Sequence, residues 1–202
     1  MIRTYLPAPT GAAETVADAL RVLAAIGIVV AGVGWGPAAG FSLAFVTVGM
    51  FLPRLLGVRP GFDIAFGIVV LASVWSSVLD IYISTRWWDL PMHFLTNGLC
   101  AALVYIGLVR LGILADAATL LRPMASTAVM TFALGLSLGV LWEIFEWFGH
   151  TYIDEEIFVG YVDSIGDLAW GGIGALLAGL SRPLMEGQSA TSRPRAASSP
   201  LG

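Results

Sequence analysis

The sequence predicts an all-α fold, a polytopic transmembrane helix bundle of about six spans with both termini in the cytoplasm, and three observations carry that prediction. Of the 202 residues 57% are hydrophobic and 12% charged, whereas a soluble domain needs about a quarter of its residues charged to cover its surface. The apolar runs are long and do not alternate, so backbone groups in hydrocarbon must pair within helices rather than across the short dyads of a barrel. The arginines fall almost wholly on one side of the spans that result. Soluble enzyme folds, nucleic-acid binders and disulfide-stapled secreted domains are excluded together.

Apolar runs bounded by charge and turn signals place helix 1 near Ala19 to Trp35, helix 2 near Ala38 to Leu56 and helix 3 near Phe62 to Ser84. Helix 4 follows from Asp89 to Val109, helix 5 from Met124 to His150 and helix 6 from Asp163 to Leu180. Residues 1–182 form one transmembrane domain, and the Ser-, Ala- and Pro-rich stretch 183–202 reads as a disordered cytoplasmic tail. Ala38-Ala39-Gly40 also fits a signal cleavage site, which would leave five spans with unchanged orientation.

With this layout Arg3, Arg54, Arg59, Arg110, Arg122, Arg182, Arg193 and Arg195 lie on one side, against Arg86 alone on the other, and the positive-inside rule makes the first side cytoplasmic. Arg21 lies just inside helix 1 and is expected to snorkel back to that side. The single cysteine, Cys100, permits neither a disulfide nor a cysteine metal cage and reads as a small core residue.

The acids show the opposite bias. Asp80, Asp89, Glu143, Glu146, Asp163 and Asp167 fall in the outer halves of helices 3 to 6, with His93 and His150 in the same layer and Asp154, Glu155 and Glu156 in the outer loop. Asp89, His93 and Asn97 share one stripe of helix 4, Glu143, Glu146 and His150 one stripe of helix 5, and Asp163 and Asp167 one stripe of helix 6. Ser73, Ser77, Asp80 and Ser84 give helix 3 a softer polar stripe. Toward the cytoplasm the stripes turn to small residues, Gly135 and Gly139 on helix 5 and Gly171, Gly174 and Ala178 on helix 6, which should bring those two helices backbone to backbone with their carboxylates held between them. All seven tryptophans lie in the outer half, and Trp142, Trp147 and Trp170 flank the acidic stripes.

Asp89 and Asp163 fit helix N-caps as well as site residues, and His150 fits a C-terminal dipole partner. Glu143, Glu146, His93 and Asp167 lie too deep for capping and favour a functional site over a buried structural network. Carboxylates crowded inside a bilayer must share protons, reach water or hold a cation. The metal ligand candidates are therefore His93, Glu143, Glu146, Asp167, Asp89, Asp163 and His150, with Glu143, Glu146 and Asp167 as candidate catalytic groups. Their imidazole and carboxylate donors suit zinc, manganese or iron.

The runs Trp88-Asp89-Leu90-Pro91-Met92-His93-Phe94 and Trp142-Glu143-Ile144-Phe145-Glu146-Trp147, then Gly160 with Asp163 and Asp167, resemble the YjdF-like family of bacterial inner-membrane proteins of unknown function and, more distantly, VanZ-like membrane proteins. The resemblance covers about Asp63 to Leu180, and proline and methionine before His93 depart from the family pattern. It implies a multi-pass inner-membrane protein and treats Asp89, His93, Glu143, Glu146, Asp163 and Asp167 as one set. Three functions compete: a metal-assisted hydrolase or transferase on a lipid-linked substrate, a proton- or cation-coupled transporter, and a non-catalytic accessory protein. The expected partners are the bilayer and a lipid-linked substrate, with no nucleic acid.

Overall fold

The computed structural model describes residues 8–153, 155 and 157–181. The proposed tail at 183–202, and Asp154 and Glu156 of the acidic loop, lie outside them. The helices are α1 Ala12–Gly34, α2 Pro37–Gly49, α3 Leu52–Leu55, α4 Pro60–Val78, α5 Ile81–Ser84, α6 Asp89–Arg110, α7 Pro123–Tyr152 and α8 Tyr161–Leu180, with 3₁₀ turns at Arg86–Trp88 and Ala117–Thr119. Three of the long helices start on a proline, Pro37, Pro60 and Pro123, where the missing N–H costs nothing and φ is already set.

Among the described residues five helices are long and apolar enough to cross a membrane: Ala12–Gly34, Pro37–Leu55, Pro60–Val78, Arg86–Arg110 and Pro123–Tyr152. The chain is thus an all-α, multi-pass integral membrane protein. The final helix, α8, is not among the five, because Asp163 and Asp167 dilute an otherwise apolar run. Its 20 residues still reach about 30 Å, and it lies parallel to α6 from Leu90 beside Gly166 to Gly98 beside Gly174.

Helix 3 of the sequence reading is two pieces. Its long part ends at Val78, and Asp80 takes the left-handed backbone conformation, φ 56°, before the short α5. The Ser73–Ser84 stripe therefore does not continue along one helix. Tyr82 instead folds back so that its hydroxyl donates to the Ser73 carbonyl at 3.2 Å and meets the Ser73 hydroxyl at 3.0 Å. Burial pushes its phenol pKa up to about 12, which keeps the donor protonated. Trp88 Nε1 donates to the Ser76 hydroxyl at 3.0 Å and ties the start of α6 to the end of α4.

Packing falls into two groups. Helices α1, α2 and α4 meet around Ala31, Leu43 and Val74, with Gly32 of α1 close against Gly40 of α2; the Ala38-Ala39-Gly40 run is the first turn of α2. Helices α6, α7 and α8 form the second group, joined to α4 by Phe62, Phe66, Ala102, Leu103 and Ile106. That contact sets the start of α4 level with the end of α6, so the molecule has an arginine end and, at the start of α6, an acid end.

Close approach explains the glycines. A Cβ added at Gly174 would land on the Phe94 carbonyl, one at Gly135 on the Ala175 methyl, and one at Gly179 on the Thr131 hydroxyl and the Ala128 backbone. Helices α7 and α8 do pack closely, but α8 meets α7 through Gly172, Ala175 and Gly179, whereas Gly171 and Gly174 of the predicted stripe face Asn97 and Phe94 of α6. Thr127 and Thr131 in the buried part of the α7–α8 seam satisfy their hydroxyls on carbonyls of their own helix, Pro123 and Thr127 at 2.9 Å each.

Candidate functional site

Asp89 is the first residue of α6, and a four-residue step sets His93 one turn further along the same face. Asp89 Oδ1 lies 3.3 Å from His93 Nε2. Because α8 runs parallel to α6, Asp167, two turns into α8, arrives at the same depth, with its Oδ2 at 3.9 Å from that nitrogen. One donor atom from each of Asp89, His93 and Asp167 lies within 4.8 Å of the other two. Ligands on a common ion at about 2.1 Å stand at most about 4.2 Å apart, so small side-chain rotations close the set.

Asp167 decides what the trio can do. It is 1% exposed, and neither of its carboxylate oxygens has a hydrogen-bond partner among the described residues. Buried polar atoms almost always find partners, and a buried carboxylate without one is costly. Asp167 Oδ2 approaches His93 of α6, so α6 joins α8 in holding the carboxylate.

The other site candidates stand around the trio. Glu143 of α7 has a buried, unpartnered Oε1 and lines a shallow groove between α7 and α8 with Val140, Ile144, Trp147, Ser164 and Leu168. Glu146 lies near enough to His93 and Glu143 for their charges to act on it. Asp163 sits in the first turn of α8, whose N-cap is Gly160. His150 Nδ1 contacts the Ile157 carbonyl at 2.7 Å and closes the turn after α7. The structure brings Asp89, His93 and Asp167 into one tight group and leaves Glu143, Glu146, Asp163 and His150 outside it.

Asn97 continues the Asp89–His93 stripe inward. Its amide fills the notch left by Gly139 and Gly171, the position a Cβ on either glycine would take. The seam beneath the trio is thus wedged by a polar side chain, where the small-residue pattern alone predicts contact without one.

A family described as "Predicted membrane protein (DUF2238)" matches residues 18–184. The chain belongs to this family. The match takes in α1 and α2 as well as the motifs around Asp89, Glu143 and Asp167, so membership extends beyond the Asp63–Leu180 stretch that carries the sequence motifs. It gives no support to the more distant VanZ-like resemblance. No curated protein and no solved structure matches the chain.

A second charged cluster escaped the sequence reading. At the arginine end Arg21 is not snorkelled but buried: its Nη2 donates to Asp63 Oδ1 at 2.5 Å, its Nη1 to Asp18 Oδ1 at 2.8 Å and its Nε to the Met50 carbonyl at 3.0 Å. Arg54, also buried, donates to Asp18 Oδ1 at 3.0 Å. Snorkelling loses because two carboxylates at the same depth offer paired, charge-assisted bonds. Asp63 at the start of the predicted third helix and Arg21 at the start of the first were the available signal.

Proposed function

We propose that this protein is a metal-assisted hydrolase or transferase of the bacterial inner membrane, acting on a lipid-linked substrate at the outer leaflet. Asp89, His93 and Asp167 hold a divalent zinc, manganese or iron ion, and Glu143 and Glu146 stand by as proton acceptors. The observation that carries this reading is Asp167, a fully buried carboxylate with both oxygens unpartnered and aimed at an imidazole and a second carboxylate. Imidazole nitrogen and carboxylate oxygen are donors that zinc, manganese and iron accept, and the ion would polarise a substrate oxygen and acidify water.

The packed seam supports an enzyme over a carrier. Below the trio, Gly98 and Gly174 bring α6 and α8 into backbone contact, and Gly135 meets Ala175, so close backbone packing blocks the way inward past Asn97. The orientation rests on the arginine distribution: a phosphatase fused in the α7–α8 connection should be active and one fused after Arg122 silent.

Metal analysis of purified, detergent-solubilised protein tests the reading. Bound divalent metal, lost on His93→Ala and Asp167→Asn with helicity unchanged, is the expected result. Metal content that neither substitution alters, or proton-driven flux in proteoliposomes, would overturn it.

A further inference from the structure

We propose that the apolar groove beside Asp89, His93 and Asp167 seats one acyl chain of a phosphatidylethanolamine molecule, bringing its ammonium head to the acid end. This deepens the reading of the site by naming its substrate class, and rests on that reading only for what happens to the head.

The groove is lined by Trp87, Leu90, Pro91, Phe94 and Trp170, all apolar. Leu90 and Phe94 directly follow Asp89 and His93, and Trp170 lies three residues past Asp167, so groove and trio occupy the same turns of the same two helices. Its inner wall is closed by the edge-to-face contact of Phe94 with Trp170, ring centroids 6.3 Å apart, and by Leu90 packed against Gly166. Its mouth opens away from the bundle, where Trp87 is 67% and Trp170 45% exposed. In a bilayer a groove of this kind meets hydrocarbon chains, and its indoles suit the headgroup level.

Charge selects the head. Asp89, Asp163, Asp167, Glu143 and Glu146 share this end with two imidazoles, His93 and His150, and with Arg86, whose guanidinium lies over the Phe158 ring, 4.8 Å from its centroid. A divalent ion on the trio still leaves negative charge in excess. An anionic head is repelled there, whereas a primary ammonium offers three donors to the half-buried carboxylates of Asp89 and Asp163.

The full-length protein in mild detergent, mixed with equal amounts of phosphatidylethanolamine and phosphatidylglycerol, should retain the former preferentially, read by native mass spectrometry. Leu90→Trp, which fills the groove, should reduce that retention about tenfold, the loss of one well-buried apolar contact, while bound metal is unchanged. Trp87→Ala, at an outward position, removes a wall without entering the core and should act in the same direction. Equal retention of the two lipids, or groove variants that retain phosphatidylethanolamine like the wild type, would overturn the assignment. Groove-dependent retention in a protein that binds no metal would sink the metalloenzyme reading and leave this one standing.

Discussion

At the arginine end Asp63 is 5% exposed and bonded to Arg21, which is equally buried and also bonded to Asp18 and the Met50 carbonyl. At the acid end Asp167 is buried still more completely, and its nearest cationic group is an imidazole nitrogen at 3.9 Å. The two regions bury the same kind of group at opposite ends of one bundle. In the first, the chain itself carries every counter-charge, and the cluster joins α1 to α4 and to the break between α2 and α3. In the second, two helices bring carboxylates together and supply no guanidinium. Burial alone therefore does not distinguish the two ends; what distinguishes them is whether a guanidinium of the chain itself meets the buried carboxylate.

The seam that holds the acid end together gives the largest expected effect. Gly174→Leu would drive a side chain into the Phe94 backbone and should abolish monodisperse protein in size-exclusion chromatography. Gly49→Leu, where nothing lies within 4 Å, should be tolerated. Similar behaviour of the two would show that the trio does not depend on close helix contact.

Breaking the paired end comes next. Asp63→Ala leaves Arg21 buried without its closest partner and should cost about 3–5 kcal/mol in chemical denaturation in micelles. The double substitution Arg21→Met with Asp63→Leu should recover most of that loss, because an apolar pair of similar volume needs no counter-charge. The matching change at the unpaired end, Asp167→Asn, should alter the chelator-treated protein by less than about 1 kcal/mol or stabilise it. It should also abolish the metal-dependent gain, about 2.7 kcal/mol for an ion at 100 times its Kd. A loss from Asp167→Asn as large as that from Asp63→Ala would erase the contrast between the ends. Tyr82→Phe, which removes the hydroxyl's contacts with the Ser73 carbonyl and hydroxyl outside both clusters, should cost only about 1–2 kcal/mol in the same assay.

Much of the fold is legible in the sequence because bilayer physics leaves few options: apolar runs of span length must be helices, and glycines at helical spacing must mark close contact. Asp89 and His93 also show themselves, since a four-residue step lies within one helix. The membership of Asp167 depends on α8 running parallel to α6 and rotating toward it, and no spacing within a single helix encodes that rotation. Arg21 and Asp63 are 42 residues apart, so their pairing needs the α1–α4 contact before it can be read. The left-handed turn at Asp80 was hidden because the polar stripe of serines around it imitates a continuing helix.

One further property follows from the length of α7. Its 30 residues make a rod of about 45 Å, against a hydrocarbon layer of about 30 Å. An average tilt of about 20° shortens its projection by only about 3 Å, so roughly two turns must stand clear of the core. Its neighbour α8, Tyr161–Leu180, is ten residues shorter than α7, Pro123–Tyr152. A thicker membrane would draw the Trp147–Tyr152 tip inward and a thinner one would expose it, so hydrophobic mismatch acts on the same helix that presents Glu143 and Glu146. Acyl-chain length of the host bilayer thereby becomes a control variable for the acid end, independent of any ligand.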